Sequence, residues 1–133
     1  MRMTEPATQP VALLVEDEAL VAMVAEDYLV ELGFAVRAVT SGAEALALGD
    51  DGRLNAQLAI IDVGLPDMRG DDLARQLRRA RPQLNVVMAS GYDPVALEHA
   101  FAHDSRVRVV GKPYTEDDLI RAVRSLGFEV AAL

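Results

Sequence analysis

Residues 58–77 read LAIIDVGLPDMRGDDLARQL, and the change of period within them decides the fold. The run LAII is short, apolar and closed by an acid, as a strand buried on both faces of a sheet would be. Gly64-Leu65-Pro66-Asp67 is turn chemistry. From residue 70 to residue 81 the positions Leu73, Ala74 and Leu77 fall three and four apart, the spacing of one helix face. Asp71 and Asp72 open that helix, while Arg78, Arg79 and Arg81 close it, placements its dipole favours. The arginine cluster, Arg75 included, therefore reads as a helix end rather than a nucleic-acid patch.

The same unit recurs along the chain. Residues 11–15 (VALLV) read as a buried strand, followed by a helical period over residues 18–32 with Val21, Val24, Ala25, Tyr28 and Leu32 on one face. Gly33 stands where a left-handed stop is expected. Residues 34–39 are a second, less buried strand, and Ser41 with Glu44 forms a capping box for a helix running to about residue 48. After the strand, turn and helix of residues 58–81, residues 84–90 are a fourth strand. Asp93 and Pro94 then open a helix. Residues 107–110 are the fifth strand; Thr115 with Asp118 caps the last helix, whose stripe is Leu119, Ile120, Val123 and Leu126, and Gly127 stops it. The pattern is (βα)5. It predicts an α/β fold, a doubly wound parallel sheet with helices on both faces and right-handed crossovers. The expected divisions are an N-terminal arm (1–10), one packed domain (11–127) and a short tail (128–133), with no output domain.

In such sheets ligands bind beyond the carboxyl ends of the strands. Polar residues stand at those ends: Glu16 and Asp17, Asp62, Ser90, and Lys112 before Pro113. Three carboxylates brought together repel one another, and a hard divalent cation relieves that. Oxygen-only ligands with room for water suit Mg²⁺. Asp17 and Asp62 are the expected direct ligands, Glu16 a ligand through water, and Gly64 a donor of its backbone carbonyl. A carboxylate beside the metal is a nucleophile toward a phosphoryl group, with Lys112 and the Ser90 hydroxyl left to meet the transferred oxygens. Glu18 reads only as a complement to the helix start. His99 and His103 lack a third ligand and read as a surface face; Met23, Met68 and Met88 read as packing.

Composition narrows the classes. The chain has 133 residues, 51% of them hydrophobic, which suits one domain with a sizeable core. It has no cysteine, so no disulfide or thiolate metal site. A net charge of −8 opposes nucleic-acid binding. No apolar run approaches the length of a bilayer span, and the first ten residues do not form a secretory signal, so a cytoplasmic protein without membrane insertion is expected.

Over about residues 11–126 the chain resembles the receiver domain of two-component response regulators. LLVEDE matches the family's first strand and acid pair, IDVGLPDMRGDDLA its phosphoacceptor strand, loop and helix, and ASG and GKPY its hydroxyl and lysine positions. The resemblance implies a flavodoxin-like sheet of order 2-1-3-4-5 and a cis bond before Pro113. It also implies an aspartyl phosphate at Asp62, received with Mg²⁺ from a histidine kinase or histidine phosphotransfer protein and read by a downstream target. In that reading the chain is a signalling receiver that catalyses its own phosphoryl transfer and hydrolysis. Receivers usually carry an aromatic switch residue three positions before the lysine; here Val109 stands there. MASGY at 88–92 instead resembles the Phe-Ala-Thr-Gly-Tyr motif of a subgroup of single-domain receivers, making Tyr92 the alternative switch candidate. Two other readings remain: a receiver that binds its partner without phosphorylation, and a phosphohydrolase of the haloacid dehalogenase type. The second needs an acid two residues after the nucleophile, where this chain has Gly64.

Overall fold

The computed structural model describes residues 9–50, 52 and 54–130. Five strands, β1 (Val11–Val15), β2 (Ala35–Val39), β3 (Leu58–Asp62), β4 (Asn85–Ser90) and β5 (Val107–Gly111), form one parallel sheet of order β2-β1-β3-β4-β5. Helices α1 (Ala19–Leu32), α2 (Gly42–Asp50), α3 (Gly70–Ala80), α4 (Pro94–Ala100) and α5 (Glu116–Ser125) link and follow them. This is the expected (βα)5 architecture.

Strand alternation divides the core in two. Leu13, Val15, Ala59, Ile61, Val86 and Met88 face α2, α3 and Leu97 of α4, whereas Ala12, Leu14, Leu58, Ile60, Val87 and Ala89 face α1 and α5. The central strand β3 is buried along its whole length, which explains its unbroken apolar run. The edge strand β2 is half open to solvent.

The helix ends follow local chemistry. Gly33 takes φ +106° and Gly127 φ +101° after α1 and α5. Thr115 and Asp118 complete a capping box on α5, and the Asp93 carboxylate accepts from Ala96 N at 3.1 Å ahead of Pro94. Asp93 itself is left-handed, with φ +48°. The box expected on α2 is only half built. Ser41 Oγ accepts from Glu44 N at 3.2 Å, but Glu44 Oε1 returns to Thr40 N at 2.8 Å rather than to Ser41.

One expectation changes. α1 buries Ala25, Leu29 and Leu32 and leaves Val24 and Met23 exposed, so Met23 is not packing. The helix is apolar on most of its circumference, and period alone did not select the inward face. At the end of the expected arm, Pro10 O accepts from Ala35 N at 2.9 Å and Gln9 Nε2 reaches Gly33 O. Beyond Gly127, Phe128 packs edge-on against Phe34 at 5.4 Å, and Val130 packs against the same cluster. The rest of the expected arm (1–8) and of the tail (131–133) lies outside the described residues. Among the described residues, no helix is long and apolar enough to cross a membrane.

Candidate functional site

The parallel register brings the strand ends to one rim. β1 delivers Glu16 and Asp17, and β3 beside it delivers Asp62. Each of these three acids offers an oxygen, and the three lie within 4.8 Å of one another. Glu16 and Asp62 are buried and Asp17 is exposed, so the cluster has a closed floor and an open mouth. Lys112 Nζ enters from β5 and lies 3.2 Å from Asp62 Oδ2 and 3.3 Å from Glu16 Oε1. Its backbone is fixed by donation of Lys112 N to Ser90 O at 2.9 Å, and the Lys112–Pro113 bond is cis.

Burial, then the neighbouring Asp62 charge, pushes the Glu16 carboxyl up, against the opposing pull of the Glu18 amide and Lys112. Burial alone would depress the Lys112 ammonium, but Glu16 and Asp62 outweigh it and push it up. Lys112 is therefore a firm cation between two acids. Tyr114, half-buried beside them, is pushed up to about 12 by desolvation and is neutral.

The loop after Asp62 is held by backbone contacts. Gly64 N donates to Asp62 Oδ1 at 3.1 Å, and Gly64 bridges Arg69 in an antiparallel pair. Gly70 N donates to Val63 O at 2.9 Å. A Cβ on Gly70 would stand 2.3 Å from Asp62 O, so only glycine lets α3 start this close to β3.

The donor set fits magnesium: carboxylate oxygens only, with an open side at Asp17 that leaves room for water. Not every anticipated residue meets the cluster. The Ser90 hydroxyl donates to Tyr92 O at 2.6 Å and accepts from Tyr92 N at 3.2 Å, closing its own loop. Tyr92 is 91% exposed, and Val109 is half-buried against the core. Gly64 meets Asp62 through its amide. His99 and His103 are exposed.

Two contributions escaped the sequence. Glu18 Oε1 lies 3.5 Å from Lys112 Nζ, so it reaches the site as well as the helix start. Its nearness to the acid pair was the only signal. Asp67 and Met68, read as turn and packing, tie the loop to α2.

Comparison with known proteins bears on the whole rim. Residues 12–124 match the response regulator receiver domain. The chain is 34% identical over 114 residues to the sensory transduction protein RegX3 of Mycobacterium tuberculosis, covering 86% of this chain and 49% of that protein. It is 29% identical over 123 residues to the sensor kinase CckA of Brucella abortus, covering 92% of this chain and 13% of the kinase. The chain thus spans half or less of these two relatives. Among solved structures, a response regulator receiver protein from Sinorhizobium medicae superposes with a TM-score of 0.78 at 32% identity, covering 90% of this chain and 94% of that one.

Proposed function

The chain belongs to the response regulator receiver domain family, and from that premise we propose that it accepts a phosphoryl group on Asp62 from a phosphohistidine. The donor is a cytoplasmic histidine kinase or histidine phosphotransfer protein. The observation that carries the reading is the Lys112 ammonium held between Asp62 and Glu16, with Asp17 in the same cluster.

An Asp62 carboxylate oxygen attacks phosphorus, the new O–P bond forms as the P–N bond breaks, and the electron pair leaves on the imidazole nitrogen. Lys112, 3.2 Å from Asp62 Oδ2, is the cation proposed to meet the arriving oxygens. The Ser90 hydroxyl releases Tyr92 O and turns to the phosphoryl group. Asp17, Asp62, the Gly64 carbonyl and, through water, Glu16 would hold Mg²⁺, which supplies charge neutralisation on the phosphoryl oxygens. Water later cleaves the same O–P bond, returning free Asp62 and inorganic phosphate.

The readout follows from the Ser90 turn. With Val109 at the usual aromatic position, we place the moving element at residues 91–97, with Tyr92 as its reporter, in keeping with the likeness of MASGY to the Phe-Ala-Thr-Gly-Tyr subgroup. Its altered face is what a downstream target would bind. A beryllium fluoride mimic of the phosphoryl group should shift amide signals most at residues 90–100, and less in Tyr92→Ala. Changes confined to the acid cluster would remove Tyr92 from the switch.

Incubation with a small phosphodonor and Mg²⁺ should add one phosphoryl group by intact mass, and Asp62→Asn should stay unlabelled. Equal labelling of that variant would overturn the proposal.

A further inference from the structure

The loop after Asp62 reaches across to a helix that carries none of the site. Asp67 Oδ1 accepts from Gly42 N at 3.0 Å, and Oδ2 accepts from Ala43 N at 2.9 Å. Those are the first two free amides of α2. Ser41 Oγ takes the third, Glu44 N, and Ser41 O takes Ala45 N. The amides that a helix start leaves open are thus satisfied, two of them by a residue from a different segment of chain. A full negative charge at this end is favoured by the helix dipole. The same amides hold the Asp67 carboxyl below the usual carboxylate range.

The neighbouring residue locks the contact. Met68 Sδ lies 2.4 Å from where a Gly42 Cβ would stand, so the first residue of α2 is a glycine over which Met68 lies. The other end of the loop is clamped by Gly70 against the backbone of Asp62 and Val63. Between the two clamps lies Gly64, paired with Arg69.

We infer that Asp67 is a positioning residue for the metal and phosphoryl site: by bolting the loop of residues 63–69 to the start of α2, it sets the Gly64 carbonyl ahead of Mg²⁺ binding. The inference rests on the magnesium reading above. Groups that orient a metal's ligands lower its affinity about 10-fold or more when removed. By linkage, Mg²⁺ binding should in return tighten the start of α2.

The test measures Mg²⁺ dissociation constants by titration of amide shifts in the intact chain, together with Asp67→Asn, Asp67→Ala and Ser41→Ala. Ser41→Ala removes a cap from the same helix and leaves the loop attachment in place. Asp67→Ala should raise the Mg²⁺ Kd about 10-fold, and Asp67→Asn, which keeps one acceptor, should raise it less. Ser41→Ala should stay within about twofold of the parent. In the parent, saturating Mg²⁺ should slow hydrogen exchange at Gly42 and Ala43. If Asp67→Ala and Ser41→Ala change Kd alike, or neither changes it, Asp67 is only a helix cap and the inference fails. If the parent itself does not bind Mg²⁺, the magnesium reading fails and takes the inference with it.

Discussion

Lys112 shows how one side chain settles the charge of the site. Glu16 is 4% exposed and Asp62 7%, and two buried carboxylates so placed would repel each other without a cation. Lys112 touches both and is itself largely buried. Lys112→Ala should therefore destabilise the metal-free fold by about 3 kcal/mol, as loss of one partner from a buried pair does, and lower its melting temperature. Mg²⁺ should then raise that temperature more than in the parent, because it relieves a repulsion the lysine had held down. An unchanged metal-free melting temperature would show that the lysine is not balancing the acids. Gly70 is a second residue-scale test. Its substitution by alanine would drive a methyl group onto the Asp62 carbonyl, and backbone on both sides cannot yield cheaply. Gly70→Ala should destabilise the chain by about 2 kcal/mol or more in denaturant unfolding. A neutral result would mean that the start of α3 can withdraw from β3.

Between elements, one ion pair ties α3 to the turn after α4. Arg78 of α3 donates to Asp104 in the turn after α4, and Asp104 also accepts from Arg106 N at 3.0 Å. Burial would raise the Asp104 carboxyl, but the Arg78 bond and the Arg106 amide outweigh it and hold it low. A carboxyl depressed in the folded state stabilises fully above its unfolded value, near 3.8, and loses that contribution as pH falls through the folded value. Asp104→Asn should cost about 1 kcal/mol at neutral pH, between an exposed and a buried pair. The difference should shrink once pH drops below the ordinary aspartate range, and vanish when the parent Asp104 is protonated. Urea unfolding at pH 7 and below pH 4 checks this, and a pH-independent difference would assign the loss to packing instead.

At the scale of the whole molecule, the proposed Mg²⁺ site would couple folding to metal. Its three acids come from the ends of β1 and β3, so only the folded sheet assembles them. Binding to the native state alone adds about 2.7 kcal/mol at a hundredfold excess over Kd. Mg²⁺ should raise the melting temperature accordingly, and Asp17→Asn should remove most of the gain while leaving the metal-free fold intact, since Asp17 is exposed. An equal Mg²⁺ response in that variant would exclude Asp17 as a ligand. The core also extends beyond the last helix: Phe128 against Phe34 closes the α1 and α5 side of the sheet.

Period and punctuation in the sequence were enough to determine the five strands, the five helices, their caps at Gly33, Thr115 and Gly127, and the row of strand-end residues Glu16, Asp17, Asp62, Ser90 and Lys112. Those signals are local: a strand end or a helix cap depends on neighbours a few residues away. Tertiary structure alone decided which side of the nearly all-apolar α1 turns inward, that Glu18 reaches Lys112, and that Phe128 and Val130 pack against the core. It also decided that Asp67 caps a helix 24 and 25 residues away in sequence. Each of these is a contact between segments distant in the chain. Its partner is fixed by the packing of the sheet, which no local periodicity encodes.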